Sequence, residues 1–163
     1  MFLHNVNLTN KSIVLRCDYN VPIKNKTILS TKRIDASLKT LQFILKQNIK
    51  KLIIISHLGR PKNNEEKFSL IQIKSYLEKQ INERIFFTTL EMVNTCDEKI
   101  ILLENIRFYK EETKMLDTTL SFRQKLSSLG DVFINDAFGC CHRSHSSIIG
   151  INIKERYVGF IVE

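Results

Sequence analysis

The 163-residue chain is 43% hydrophobic and 26% charged, enough to bury one core and too apolar for wholesale disorder. No uncharged apolar run is long enough to span a bilayer, and the N-terminus lacks a signal peptide's basic start and apolar core. The net charge of +8 is uneven: residues 1–62 hold 12 Lys and Arg against 2 Asp, so +10, which suits either nucleic acid or a small multiply charged anion.

Apolar periodicity alternates between two kinds of segment. Ser12–Arg16 reads as the first strand. Thr31 caps a helix whose apolar stripe is Ile34, Leu38, Leu41 and Leu45, at 3- and 4-residue spacing. Leu52–Ser56 is a continuous β-branched run, the pattern of a strand covered on both faces. Ser69 caps a second helix with Leu70, Ile73, Leu77 and Ile81 on one face. Ile85–Phe87 and Ile100–Glu104 are the next strands. A third helix runs from Leu116 to Leu129, with Leu116, Leu120 and Leu126 near one face and Gly130 as its stop. Asp131–Asn135 is a fifth strand. Strand, helix, strand in succession predicts an α/β fold: an open, mainly parallel sheet with helices on both faces, a Rossmann-like three-layer arrangement. With no repeat, low-complexity tract or linker, residues 1–163 form one domain.

Open parallel sheets bind ligands beyond the carboxyl ends of their strands. The residues there are Arg16, Asp18 and Asn20 after the first strand, His57 and Arg60 after the second, and Arg107 after the fourth. Asp136, His142, Arg143 and His145 follow the fifth, and Arg33 opens the first helix. Arginine suits bidentate recognition of phosphate or carboxylate. Five arginines converging on one cleft repel one another unless an anion fills it, so the expected ligand is small and carries at least two anionic groups. Asp18 and Asn20 either accept from ligand hydroxyls or orient the guanidinium groups, and His57 and His142 add donors. Asp136 and His145 read as turn and loop residues.

Cys17, Cys96 and the adjacent Cys140 and Cys141 form no C-x-x-C and no zinc pattern. They read as reduced, mostly buried thiols of a cytoplasmic protein with no metal site. No phosphate-binding P-loop, G-x-G-x-x-G, G-x-S-x-G or H-E-x-x-H is present. The residues alone thus lead to an α/β domain that binds a small polyanion.

Five segments carry a resemblance that goes further. They are Arg16-Cys17-Asp18-Tyr19-Asn20-Val21-Pro22, Lys32-Arg33-Ile34, Ser56-His57-Leu58-Gly59-Arg60-Pro61, Leu103-Glu104-Asn105-Ile106-Arg107-Phe108, and the run from Gly130 through Asn135-Asp136-Ala137-Phe138-Gly139 to His142-Arg143-Ser144-His145-Ser146-Ser147. Together, in this order, the sequence resembles the phosphoglycerate kinase family over essentially its whole length.

The resemblance implies a two-domain glycolytic enzyme that moves a phosphoryl group reversibly between 1,3-bisphosphoglycerate and ADP, giving 3-phosphoglycerate and ATP. It makes residues 1–163 the N-terminal, phosphoglycerate-binding domain, ending at the start of the interdomain helix. The C-terminal domain, which holds the magnesium nucleotide, lies outside the chain. By the same resemblance Asp18 and Asn20 contact the substrate's hydroxyl and carboxyl region, and Arg33 stabilises the transferring phosphoryl group. His57 and Arg60 bind substrate, Arg107 and Arg143 grip the 3-phosphate, and Arg16 and His142 belong to the same basic patch. The implied partners are the phosphoglycerate and the second domain, in a monomer without nucleic acid or membrane. Tyr19, Cys140-Cys141 and the short Lys62–Lys67 loop are mild departures from the family pattern.

Overall fold

The fold, taken from a computed structural model, is described for residues 3–161. Six parallel strands form one sheet in the order β5-β6-β4-β1-β7-β8: β1 Ser12–Arg16, β4 Lys51–Ile55, β5 Phe86–Thr88, β6 Ile100–Leu103, β7 Val132–Asn135 and β8 Glu155–Val158. Two short strands, β2 Ile23–Lys24 and β3 Thr27–Ile28, make a separate antiparallel hairpin. The helices are α1 Lys32–Ala36, α2 Leu38–Leu45, α3 Ile71–Ile81, α4 Thr119–Ser127 and α5 Ser146–Ile149.

The β-branched runs exist because both faces of the sheet are covered. Ile13 and Leu15 of β1, Leu52 and Ile54 of β4, and Val132 and Ile134 of β7 point into one core with Ile34, Leu41, Ile44, Ile73 and Leu77 of α1 to α3. The alternate residues Val14, Ile53, Ile55 and Phe133 point into the other, beside Phe122 and Leu126 of α4. Each such side chain contributes about 1.5–3 kcal/mol by burial. The three-layer α/β expectation is met.

Local details differ from the sequence reading. The first helix breaks in two at Ser37, whose hydroxyl donates to the Ile34 carbonyl at 2.8 Å. That bond competes with helix continuation. Thr31 makes no side-chain cap; its hydroxyl donates to Asp35 instead. Ser69 shares its capping task with Glu104, which accepts from Leu70 N–H at 2.9 Å and from the Ser69 hydroxyl at 2.6 Å. In α4 the buried face is Phe122 and Leu126, whereas Leu116 and Leu120, expected on that face, are exposed. The β2–β3 hairpin and β8 had no sequence signal. Val158 closes β8, residues 160–161 form a turn, and the remainder of the expected interdomain helix, Val162 and Glu163, lies outside the described residues.

The chain steps from β1 to its neighbour β4, goes out to β5, returns through β6, and then crosses to the other side of β1 with β7. This change of direction opens a crevice beyond β1, between the ends of β4 and β7. The segments after those strands meet there.

Candidate functional site

The loops after β1, β4, β6 and β7, with the start of α1, build the site, and side chains tie them together. Gly59 adopts a left-handed backbone (φ 63°), and a Cβ on it would sit 2.3 Å from the Phe68 ring, so only glycine fits this turn. Its N–H donates to Asn20 Oδ1 at 2.8 Å, and its carbonyl accepts from Arg107 Nη1 at 2.7 Å. Asn105 is the second tie. Its amide donates to the carbonyls of Leu58 and Phe68 at 2.7 and 2.8 Å, while Oδ1 accepts from the N–H of Leu58 and of Arg107. Buried Ser56 is the third, accepting from Tyr19 N–H at 2.8 Å and donating to the Cys17 carbonyl at 2.9 Å. With these polar groups satisfied internally, the loops present a fixed surface.

Two adjoining clefts lie in that surface. The first, about 280 Å³, is lined by Arg60, Pro61, Arg107, Thr113, Arg143 and His145. The Nε atoms of Arg107 and Arg143 are buried with no hydrogen-bond partner, and so is Nδ1 of His145. Unpaired buried donors are costly. Three arginine side chains gathered around one small space make a receptor for an anion with several oxygen atoms. Burial lowers the Arg107 pKa, and Arg143 and Arg16 push it the same way. The second cleft, about 220 Å³, is lined by Asp18, Arg33, Ala36, Asp136, Phe138, Gly139 and Ile161. There Arg33, from the first turn of α1, donates through Nη1 to both Asp18 oxygens at 3.1–3.2 Å and to the Asn20 carbonyl at 3.2 Å. Arg33 is half exposed, so its remaining donors face solvent.

His57 sits beneath the clefts. Its Nδ1 lies 3.2 Å from Arg16 Nη2, a group that only donates, so Nδ1 accepts and the ring is neutral. Burial, then the charges of Arg16, Arg107, His145 and Arg143, lower its pKa to about 2. His145 is held down to about 4, by burial first and then by Arg107 and Arg143. Polar atoms of Asp18, His57 and Cys140 lie within 4.8 Å of one another, a triad of metal-ligating types. It does not suit a cation: guanidinium groups already hold Asp18 and the Nδ1 of His57, and Arg107 and Arg143 add positive charge.

The sequence-chosen residues therefore divide. Arg60, Arg107 and Arg143 meet in one cleft, and Asp18 and Arg33 in the other. Asn20 uses its Oδ1 on Gly59 and its carbonyl on Arg33, placing it as a brace. Arg16, expected beside the ligand, is fully enclosed: Nε donates to Ser147 Oγ at 2.7 Å, Nη1 to the Cys17 carbonyl, and Nη2 reaches His57. It supports the cleft from behind. His57 is buried, and exposed His142 lines neither cleft. Cys140 is buried as expected, whereas Cys141 is exposed. Asp136 does more than form a turn: fully buried, it accepts from Ile161 N–H at 3.0 Å.

Sequence reasoning gave no role to Thr113, Asn105 and Glu112 and read His145 only as a loop residue. His145 had a legible signal, since it lies two residues after Arg143 beyond a strand end. Asn105 had the same signal, directly after a strand and inside the Leu103-Glu104-Asn105-Ile106-Arg107-Phe108 motif, whereas Thr113 and Glu112 sit in a polar loop where nothing in the spacing sets them apart.

The family model for phosphoglycerate kinase matches residues 3–163. Proteins named phosphoglycerate kinase from Euplotes crassus and Dictyostelium discoideum are each 39% identical to the chain, covering 96% and 99% of it but 42% and 44% of their own length. The solved phosphoglycerate kinase of Coxiella burnetii superposes with a TM-score of 0.87 at 32% identity, over 99% of this chain and 42% of that one. That of Pyrococcus horikoshii OT3 gives 0.84 at 27% identity, over 99% and 43%. The chain spans less than half the length of these relatives.

Proposed function

The chain belongs to the phosphoglycerate kinase family, and on that premise we propose that it is the phosphoglycerate-binding half of a cytoplasmic, monomeric glycolytic kinase. The reaction is reversible phosphoryl transfer between 1,3-bisphosphoglycerate and ADP. The observation that carries the reading is the first cleft, where the guanidinium groups of Arg60, Arg107 and Arg143 gather, with His145, around a space of about 280 Å³. Its size and charge suit one phosphate group better than the extended backbone of a nucleic acid.

The non-reacting 3-phosphate binds in that cleft. Its remote binding energy fixes the rest of the molecule, so that the carboxylate to be phosphorylated points toward the second cleft. Asp18, in the lining of that second cleft, orients the hydroxyl and carboxyl end, and Asn20 braces Arg33 and the Gly59 turn beside it. Arg33 keeps donors directed outward while Asp18 holds its guanidinium, and it meets the charge spread over the moving phosphoryl oxygens. His57, neutral and buried, fixes Arg16 and shapes the floor without exchanging protons. The magnesium nucleotide is the second reactant, and its site belongs to a C-terminal domain.

Titration of the chain with 3-phosphoglycerate by calorimetry tests the reading. Wild type binds with one site. Arg143→Ala, which removes a charged donor from the phosphate, weakens binding about 10- to 100-fold, as expected for about 1.5–3 kcal/mol. Absence of binding by the folded wild type, or an unchanged affinity in the variant, overturns it.

A further inference from the structure

Behind the arginine cleft lies a carboxylate to which the proposed reaction gives no task. Glu112 ends the short helical turn Lys110–Glu112, and its side chain is fully enclosed. Its Oε2 accepts from Ser147 N–H at 2.8 Å, and its Oε1 accepts from the Ser147 hydroxyl at 2.7 Å. Oε1 also lies 3.9 Å from Arg16 Nη2 and 3.9 Å from His145 Nδ1. Ser147 Oγ in turn accepts from Arg16 Nε. Burial raises the Glu112 pKa against the opposing pull of Arg16 and Ser147. A buried carboxylate is expensive unless its partners are in place.

The position of this group in the chain explains its use. One wall of the cleft is the segment from Arg107 to Thr113, which follows β6. The other is the segment from Arg143 to Ser147, which follows β7. Arg107 and Arg143 must approach each other although their charges repel. The two walls meet where Glu112 grips Ser147, with a neutral bond from the Ser146 hydroxyl to the Glu111 carbonyl alongside.

We infer that Glu112 is a positioning residue for the anion cleft: through Ser147 its carboxylate clamps the Arg107 wall to the Arg143 wall, with buried Arg16 as its counter-ion. This rests on the reading of that cleft as the phosphate subsite. Two roles for the carboxylate predict opposite effects. A group that only balanced charge would hinder an incoming anion, so its removal would tighten binding. A clamp that is lost lets the repelling guanidinium groups separate, so binding weakens.

The full chain is compared with Glu112→Gln and Ser147→Ala after circular dichroism has established that each is folded. The probes are 3-phosphoglycerate and inorganic phosphate, titrated calorimetrically. The arginine Nε–H NMR signals of the ligand-free proteins are recorded in parallel. The expected result is about tenfold or greater weakening in E112Q, the size of a lost charged hydrogen bond, and a smaller loss in S147A. The Nε–H signals of Arg107 and Arg143 shift and exchange faster in both variants before any ligand is added. Equal or tighter binding by folded E112Q overturns the clamp. If E112Q does not fold, unchanged affinity and unchanged Nε–H signals in S147A overturn it. A wild type that binds neither probe overturns the phosphate subsite instead. In that case the ligand-free signals decide the clamp, altered ones supporting it and unaltered ones overturning it.

Discussion

The environment of His57 changes its chemistry strongly. Its ordinary pKa is about 6.5, and in the fold it falls to about 2 because burial and four nearby positive or protonatable side chains disfavour the charged ring. The unfolded chain therefore binds a proton below about pH 6.5 that the native state refuses until about pH 2. Stability is lost as pH falls through that window, at up to about 1.4 kcal/mol per pH unit. His145, held to about 4, adds to the slope in the upper part of the same range. Denaturant titrations at pH 7 and pH 5 check this: wild type loses up to about 2 kcal/mol more than His57→Gln, whose amide has no such proton. An equal loss in both proteins rejects the assignment. Arg60, Arg107, Arg143 and Arg33, which line the two clefts, were legible in the sequence because each follows a strand or opens a helix. Arg16 satisfied the same rule and is nevertheless enclosed, because it is the last residue of a central strand and its side chain turns back beneath the loops. Glu112 was invisible for the opposite reason: Lys110-Glu111-Glu112 reads as a solvated charge run until the fold buries the last of its side chains.

At the level of elements, α4 gives the clearest difference between pattern and packing. Leu116, Leu120 and Leu126 are spaced for one face, yet Leu116 lies before the helix and Leu120 turns outward. The sheet instead receives Phe122 and Leu126, and Ile151 and Ile153 complete that core. Leu126→Ala is expected to cost about 2–5 kcal/mol through lost burial and a residual cavity. Leu120→Ala should change stability by no more than about 0.5 kcal/mol. Thermal or denaturant unfolding of the two variants distinguishes the faces, and a reversed order contradicts the fold. The central strands were legible because burial on both faces demands uninterrupted Ile, Leu and Val. The edge strand β8 was not, since Glu155-Arg156-Tyr157-Val158 pairs on one side only and carries charge, with Lys11 bridging to Glu155 at 2.5 Å. The β2–β3 hairpin turns through Asn25 and Lys26, both with positive φ, and Lys at such a turn gives no sequence cue.

On the scale of the molecule, the proposed half-enzyme holds one reactant and not the other. In-line transfer needs both in a closed, dry site. The chain incubated with magnesium ATP and 3-phosphoglycerate should release no ADP above background in a coupled assay, while 3-phosphoglycerate still binds. A rate near that of a complete kinase would reject the division of labour. The sequence by itself determined the family, the α/β class, the central strands and the arginines that follow them. These are local properties: burial on both faces writes itself into every residue of a strand, and a motif is read in place. Tertiary structure alone decided the strand order, the separation of the expected site into two adjoining clefts, the enclosure of Arg16 and the grip of Glu112 on Ser147. Those depend on which distant loops meet beyond β1, and a side chain 35 residues away in sequence becomes a hydrogen-bond partner only once the sheet has brought the ends of β6 and β7 to the same place.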